Sequence, residues 1–157
     1  MLRSALSALA CTLPAPVAEA HCDGPCGVYD PASARVAAEA VLSMTKKLKA
    51  MEAPDAGNAA SLAIYNNTFG RYVAIKEEEA QKTKKELLIL WTDYFKPDHL
   101  ATFPDLHDTF WKAAKLCSAC KVNIDQAKAE ELMAAVEKIH GMFWQSKGRS
   151  DSWVTAS

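Results

Sequence analysis

No stretch of the 157-residue sequence approaches the roughly 18 consecutive apolar residues that a membrane-spanning helix requires, although half of its residues are apolar. The chain is therefore expected to be soluble, with no membrane partner, and at this length one domain with its own core is the default. An excess of charge is missing as well. The formal net charge is -1, and no basic stripe exists to neutralise phosphates, which argues against a nucleic-acid partner. Cysteine is too sparse for a disulfide scaffold, and the odd count of 5 forbids pairing every thiol. The alternation of apolar and polar residues that marks strands is absent, and so are internal repeats and low-complexity tracts.

What is present is concentrated in one place. His21-Cys22-Asp23-Gly24-Pro25-Cys26-Gly27-Val28-Tyr29-Asp30-Pro31 crowds an imidazole, two thiols, carboxylates, a phenol and backbone-bending residues into a short stretch ahead of a helical pattern. Soft thiolates beside a borderline imidazole favour nickel, copper and zinc over magnesium or calcium.

Residues 1–20 read MLRSALSALACTLPAPVAEA, with one arginine, a mildly apolar middle and an Ala-Glu-Ala ending before His21. The segment reads as a removable leader. Because Pro14 and Pro16 interrupt its apolar part, a dedicated processing peptidase is preferred, with export by a signal peptidase or an unprocessed helix as alternatives. The expected location is the cytoplasm, or outside it if the leader exports the chain. Cleavage after Ala20 would give His21 a free amine, with an ordinary pKa of about 7.7 to 8.0, able to lose its proton and bind metal.

With His21 first, its amine and the Cys22 amide nitrogen close one chelate ring and the Cys22 thiolate a second. Cys26 returns another thiolate to the same plane if the chain turns at Gly24 and Pro25. The His21 imidazole then reaches only an axial position. A planar set of two nitrogens and two sulfurs points to Ni(II) or Cu(II), whereas zinc prefers a tetrahedral set.

His21, Cys22, Pro25, Cys26 and Tyr29 match the His-Cys-x-x-Pro-Cys-x-x-Tyr hook of the nickel superoxide dismutases, and the sequence resembles that family over about residues 21–147. Trp91-Thr92-Asp93-Tyr94-Phe95-Lys96-Pro97, Pro104-Asp105-Leu106-His107 and Phe143-Trp144 also look like family segments. The resemblance implies one nickel per subunit, held by the His21 amine and imidazole, the Cys22 amide nitrogen and thiolate, and the Cys26 thiolate. It further implies a Ni(II)/Ni(III) cycle converting superoxide to dioxygen and hydrogen peroxide, and a homohexamer. Tyr29 resembles the family tyrosine beside the open axial side, while Asp23 either supports the hook through hydrogen bonds or is an ordinary turn carboxylate. A processing peptidase and a nickel chaperone are the implied partners. Lys96 and Lys121 match basic family positions that would attract an anion. Departures are Ala37 in place of a carboxylate, Glu79 in place of a basic residue, and Gly24 in place of a bulkier one. The alternatives kept open are a nickel or copper carrier without turnover and a helical interaction protein with a Cys22–Cys26 disulfide.

Behind the hook the pattern is helical. Asp30 as N-cap and Pro31 at the first position open helix one, with Val36, Ala40, Met44, Leu48 and Met51 as its stripe. Pro54 and Gly57 end it. A second helix is expected from about Ala60 to Lys96, carrying Leu62, Tyr65, Phe69, Tyr72 and Val73, then Leu87 to Phe95. Its charged middle, Lys76 to Glu86, is expected on the surface apart from a seam at Ala80. Helix three starts near Pro104 with Leu106, Phe110, Ala113, Cys117 and Cys120 on one face, which makes the Cys-x-x-Cys pair core thiols. Helix four is expected over about Asp125 to Lys147, with Leu132, Met133, Val136, Ile139 and Phe143 inward and Asn123 with Gln126 as its capping box. His99, His107 and His140 are read as polar structural residues, and Asn66-Asn67-Thr68 as a coincidental sequon. The expected fold is all-α, an antiparallel up-down four-helix bundle over residues 31–147, with the leader at 1–20, the hook at 21–30 and a polar tail at 148–157.

Overall fold

The structure, a computed structural model, describes residues 27–55 and 57–156. Four long helices, α1 (Ala32–Lys49), α2 (Ala59–Ile89), α3 (Leu106–Val122) and α4 (Gln126–Ser146), make up the described chain, which contains no strand. Each packs on two neighbours in a ring, α1 on α2, α2 on α3, α3 on α4 and α4 on α1. Side-chain bonds between neighbours fix the directions. Lys121 Nζ meets Gln81 Oε1 at 3.0 Å, Lys84 Nζ meets Ser118 Oγ at 3.0 Å, and Trp91 Nε1 meets His107 Nδ1 at 2.8 Å, so α3 descends as α2 ascends. At the far end Lys49 Nζ reaches Gln126 Oε1 at 3.4 Å, which sets α1 and α4 antiparallel. The result is the expected up-down bundle.

Local chemistry starts and stops these helices. The N-cap of α1 falls on the buried Pro31, one residue after the expected Asp30, whose carboxylate accepts the Ala32 N–H at 2.8 Å at the first turn. Lys46, Lys47 and Lys49 in the last turn of α1 face its negative end. Asn58 caps α2 by accepting the Ser61 N–H at 3.1 Å. For α4 the cap is Asp125, which accepts the Lys128 N–H, and not the expected Asn123, whose amide donates instead to the Ala119 carbonyl of α3.

The buried face of α1 is Ala34, Ala37, Ala38, Glu39, Val41, Thr45 and Leu48, rotated from the expected stripe, of which only Leu48 is buried. Val36 is 52% exposed. Apolar residues surround the first turns of α1, so periodicity does not single out one side. The alanines face inward because their small side chains let the neighbouring helices approach.

In α2 the correction is larger. Its buried residues are Lys76, Ala80, Thr83 and Leu87, and none lies before Lys76. The Lys76 ammonium, expected on the surface, is buried at the end of α3, where it donates to the carbonyls of Cys120, Lys121 (2.8 Å) and Asn123 (3.1 Å). The final carbonyls of a helix lack intrahelical donors, and one long side chain from α2 supplies them. Because α3 ends beside Lys76, the earlier turns of α2 run past it. Leu62 and Ile64 are exposed there, and Tyr65, Phe69 and Tyr72 only half-buried.

Beyond Ile89 the helix widens into a single π turn, Leu90–Tyr94, closed by the Phe95 N–H on the Leu90 carbonyl at 3.1 Å. A short 3₁₀ turn, Pro97–Ala101, follows before α3, where a continuous helix to Lys96 was expected. Among the described residues no helix is long and apolar enough to cross a membrane.

Candidate metal centre

Of the predicted site residues, His21, Cys22, Asp23 and Cys26 lie outside the described residues. The described chain begins at Gly27, the residue bonded to Cys26. Gly27 has φ +64°, a left-handed conformation that glycine adopts without the steric cost of a side chain. The chain then passes Tyr29 and Asp30 and enters α1 at Ala32.

Tyr29 is half-buried, with its ring 5.5 Å from that of Tyr94. Tyr94 closes the π turn and is held on several sides. Its ring centroid lies 4.6 Å from Phe143, 5.0 Å from Phe95 and 5.8 Å from His99. The Lys147 ammonium sits 5.1 Å from the same ring. The Tyr94 and Ser146 hydroxyls are 2.6 Å apart, and since the Ser146 hydroxyl donates to the Phe143 carbonyl at 2.7 Å, Tyr94 is the donor to Ser146. The extra residue of the π turn brings Tyr94 and Phe95 side by side into this cluster.

Gly27, Tyr29, Asp93, Tyr94, Lys96 and His99 line an open cavity of about 410 Å³. The exposed Lys96 ammonium is its cation and Asp93 its carboxylate, whose Oδ1 accepts the Thr92 hydroxyl at 2.7 Å. His99 Nδ1 accepts the Lys96 N–H at 3.0 Å, which fixes the ring at the cavity wall. Lys121, the other predicted basic residue, is not here. Its Gln81 partner lies 15 residues before Lys96, roughly 20 Å along a helix at 1.5 Å per residue. Tyr94 and His99 were not read as site residues in the sequence. Their signal was the aromatic density of Trp91 to Phe95 against Pro97, where a helix has to end.

The remaining candidates behave as structural residues. His107 accepts from Trp91, and His140 Nε2 lies 3.2 Å from the Asp151 carbonyl. Burial pushes the Cys117 thiol up to about 12 and that of Cys120 up to about 11, so both stay protonated near neutrality and serve the core. Ala37 is fully buried, and Glu79 lies 4.0 Å from Lys82 on its own helix. Among the described residues no group of three or more His, Cys, Asp or Glu side chains could hold a metal ion.

The profile of the nickel-containing superoxide dismutases matches residues 16–147. The chain is 38% identical over 128 residues to the superoxide dismutase [Ni] of Streptomyces seoulensis, covering 82% of this chain and 88% of that protein. It is 36% identical, with the same coverage, to that of Streptomyces coelicolor (strain ATCC BAA-471 / A3(2) / M145). A native nickel superoxide dismutase structure superimposes with a TM-score of 0.68 at 34% identity, covering 82% of this chain and 99% of that one. Another, with its nickel ligation in the oxidised state, gives 0.67 at 37% with the same coverage.

Proposed function

The chain belongs to the nickel-containing superoxide dismutase family, and from that premise we propose that its nickel is held by His21, Cys22 and Cys26 once residues 1–20 have been removed. It is a nickel-dependent oxidoreductase whose substrate is superoxide. One observation carries the site assignment. Gly27, the residue bonded to Cys26, lines the same cavity as Tyr29, Tyr94 and Lys96, which supports a metal site at this end of the bundle. The donor chemistry fits nickel: thiolate, amide and amine ligands stabilise its higher oxidation state, and imidazole is a common partner.

Nickel bound there would supply a one-electron couple between its divalent and trivalent states, so that one superoxide gives up an electron to become dioxygen and a second takes up an electron and two protons to become hydrogen peroxide. The protein does the rest. Removal of the leader frees the His21 amine as a donor. The Cys22 amide and the Cys22 and Cys26 thiols would give up their protons to bind the metal, and the His21 imidazole would be a further donor. Tyr29, held against Tyr94, narrows access to a small anion and supports the water through which protons arrive. Lys96 draws that anion to the cavity although the chain as a whole is nearly neutral. Asp23 supports the hook through hydrogen bonds.

The assembly in this reading is a homohexamer of mature chains starting at His21. The apolar face of α2 around Leu62 and Ile64, uncovered within one chain, supports packing between copies. Maturation uses a processing peptidase and a nickel chaperone in the cytoplasm, where the hook thiols are kept reduced before loading.

The test compares the processed, nickel-loaded chain with its Cys22→Ser and Cys26→Ser variants. The reading expects superoxide consumption by the parent, no activity in either variant, and unchanged helical circular dichroism. Nickel binding without turnover by the parent would make the protein a carrier. Loss of helix in the variants would make those cysteines structural.

A further inference from the structure

Residues 148–156 lie beyond the stretch that matches the family profile, yet they follow a defined path back along the bundle. Gly148, at φ +67°, ends α4. Its N–H bonds the Gln145 carbonyl and the Arg149 N–H bonds the Trp144 carbonyl, each at 2.9 Å, the paired bonds that reverse a chain at a helix end. The Arg149 guanidinium then stacks 4.6 Å from the Trp144 ring. One turn earlier on α4, His140 meets the Asp151 carbonyl and the edge of the half-buried Trp153, at 5.4 Å between rings. The segment reaches α1 at its end, where the Ala156 N–H donates to Glu39 Oε1 at 2.7 Å.

Glu39 is the only buried carboxylate among the described residues. Its other oxygen takes the Arg35 guanidinium at 3.3 Å. Trp153 and Thr155 stand with Leu42 of α1 and Met133 of α4 around a cavity of about 320 Å³, so the segment bridges the groove between those two helices. Glu39 shares the buried face of α1 with Ala34, Ala37, Ala38, Val41, Thr45 and Leu48, so a bond to its carboxylate acts on the packed side of that helix.

We propose that residues 149–156 are a strap that latches onto Glu39 and the α1–α4 groove, and so holds α1, the helix preceded by residues 21–29, in the position that presents the hook at the Tyr29–Tyr94 cavity. Trp153 is the anchor in the groove and Glu39 the latch. Both are positioning residues and touch no reacting atom. The bearing of the strap on the hook rests on the metal site proposed above, whereas its hold on α1 does not.

Two readouts keep these apart. In metal-free protein, amide hydrogen exchange along α1 is compared between the full chain, its Trp153→Ala variant and a chain stopped after Gly148, which keeps the whole family-matching segment. The strap predicts exchange in α1 about tenfold faster in both altered chains, with α3 unchanged. A synthetic peptide of residues 149–157 should restore protection to the stopped chain, and its Trp153→Ala form should not. Equal exchange in α1, or no effect of the peptide, overturns the strap. In processed, nickel-loaded protein that starts at His21, the chain stopped after Gly148 should release nickel to a chelator several-fold faster than the chain that keeps residues 149–157, and the peptide should slow it again. Unchanged release alongside faster exchange overturns the positioning of the hook. A chain that starts at His21, keeps residues 149–157 and binds no nickel sinks the metal site and leaves the exchange result to decide the strap.

Discussion

The rings of Tyr29 and Tyr94 lie 5.5 Å apart and tilted by 54°, which ties the segment ahead of α1 to the π turn that follows α2. The Tyr94 hydroxyl carries the connection on to Ser146 at the end of α4, 2.6 Å away. Three helix ends thus meet under the cavity at Gly27.

Tyr94→Phe keeps the ring contacts and removes the bond to Ser146, which retains its own bond to Phe143. The expected loss of stability is about 1 kcal/mol, the net worth of one such hydrogen bond. Tyr94→Ala also removes the ring that Phe143, Phe95 and Tyr29 pack against, and should cost about 2 to 4 kcal/mol, below a fully buried aromatic because Tyr94 is partly exposed. Urea unfolding of the three proteins checks the order.

Lys76→Met replaces a buried ammonium by an apolar side chain of similar length. It leaves the carbonyls of Cys120, Lys121 and Asn123 without their donor, and the end of α3 should fray. A loss of about 1 to 3 kcal/mol is expected, the cost of buried acceptors left unmet. Desolvation holds the Lys76 pKa below its ordinary value, so over the interval between the folded and unfolded values the unfolded chain binds more protons and stability rises with pH. That rise should vanish in Lys76→Met, as urea midpoints across the alkaline range will show.

Cys117 and Cys120 should resist alkylation in the folded protein at pH 8, and react once it is unfolded. Their folded values, about 12 and 11, lie above the ordinary 9.0, so between these limits the folded chain holds protons that the unfolded chain gives up. Their contribution to stability is therefore full below about pH 9 and declines as pH rises toward 11, opposite in sign to that of Lys76. Mass measurement of iodoacetamide adducts reads the first statement. Comparison with Cys117→Ala, whose decline should be shallower, reads the second.

Much of this was legible in the sequence, for identifiable reasons. Asp30-Pro31, Pro97 and the Leu106 to Cys120 stripe mark helix ends and faces through chemistry that acts within a few residues, and four amphipathic helices have few ways to pack. What depends on a distant partner was hidden. Lys76 looks like one charge in a charged run until the end of α3 is placed beside it. Val36 looks more core-like than Ala37, because hydrophobicity does not say where backbones must come close. Tyr94 reads as one more apolar residue of α2 until the π turn aims it at Tyr29. The segment after Gly148 is polar in composition, and its single Trp153 acquires a purpose only when α1 and α4 form a groove. The candidate ligands His21, Cys22 and Cys26 were singled out by donor type and spacing within a few residues, which is local chemistry, and their assignment to nickel came from the family resemblance.

Native mass spectrometry of the active protein purified from its own source reads the start of the chain and the metal together. The account predicts subunits that begin at His21 and carry one nickel each. An active subunit that still begins at Met1, or one that turns over superoxide without nickel, would contradict it.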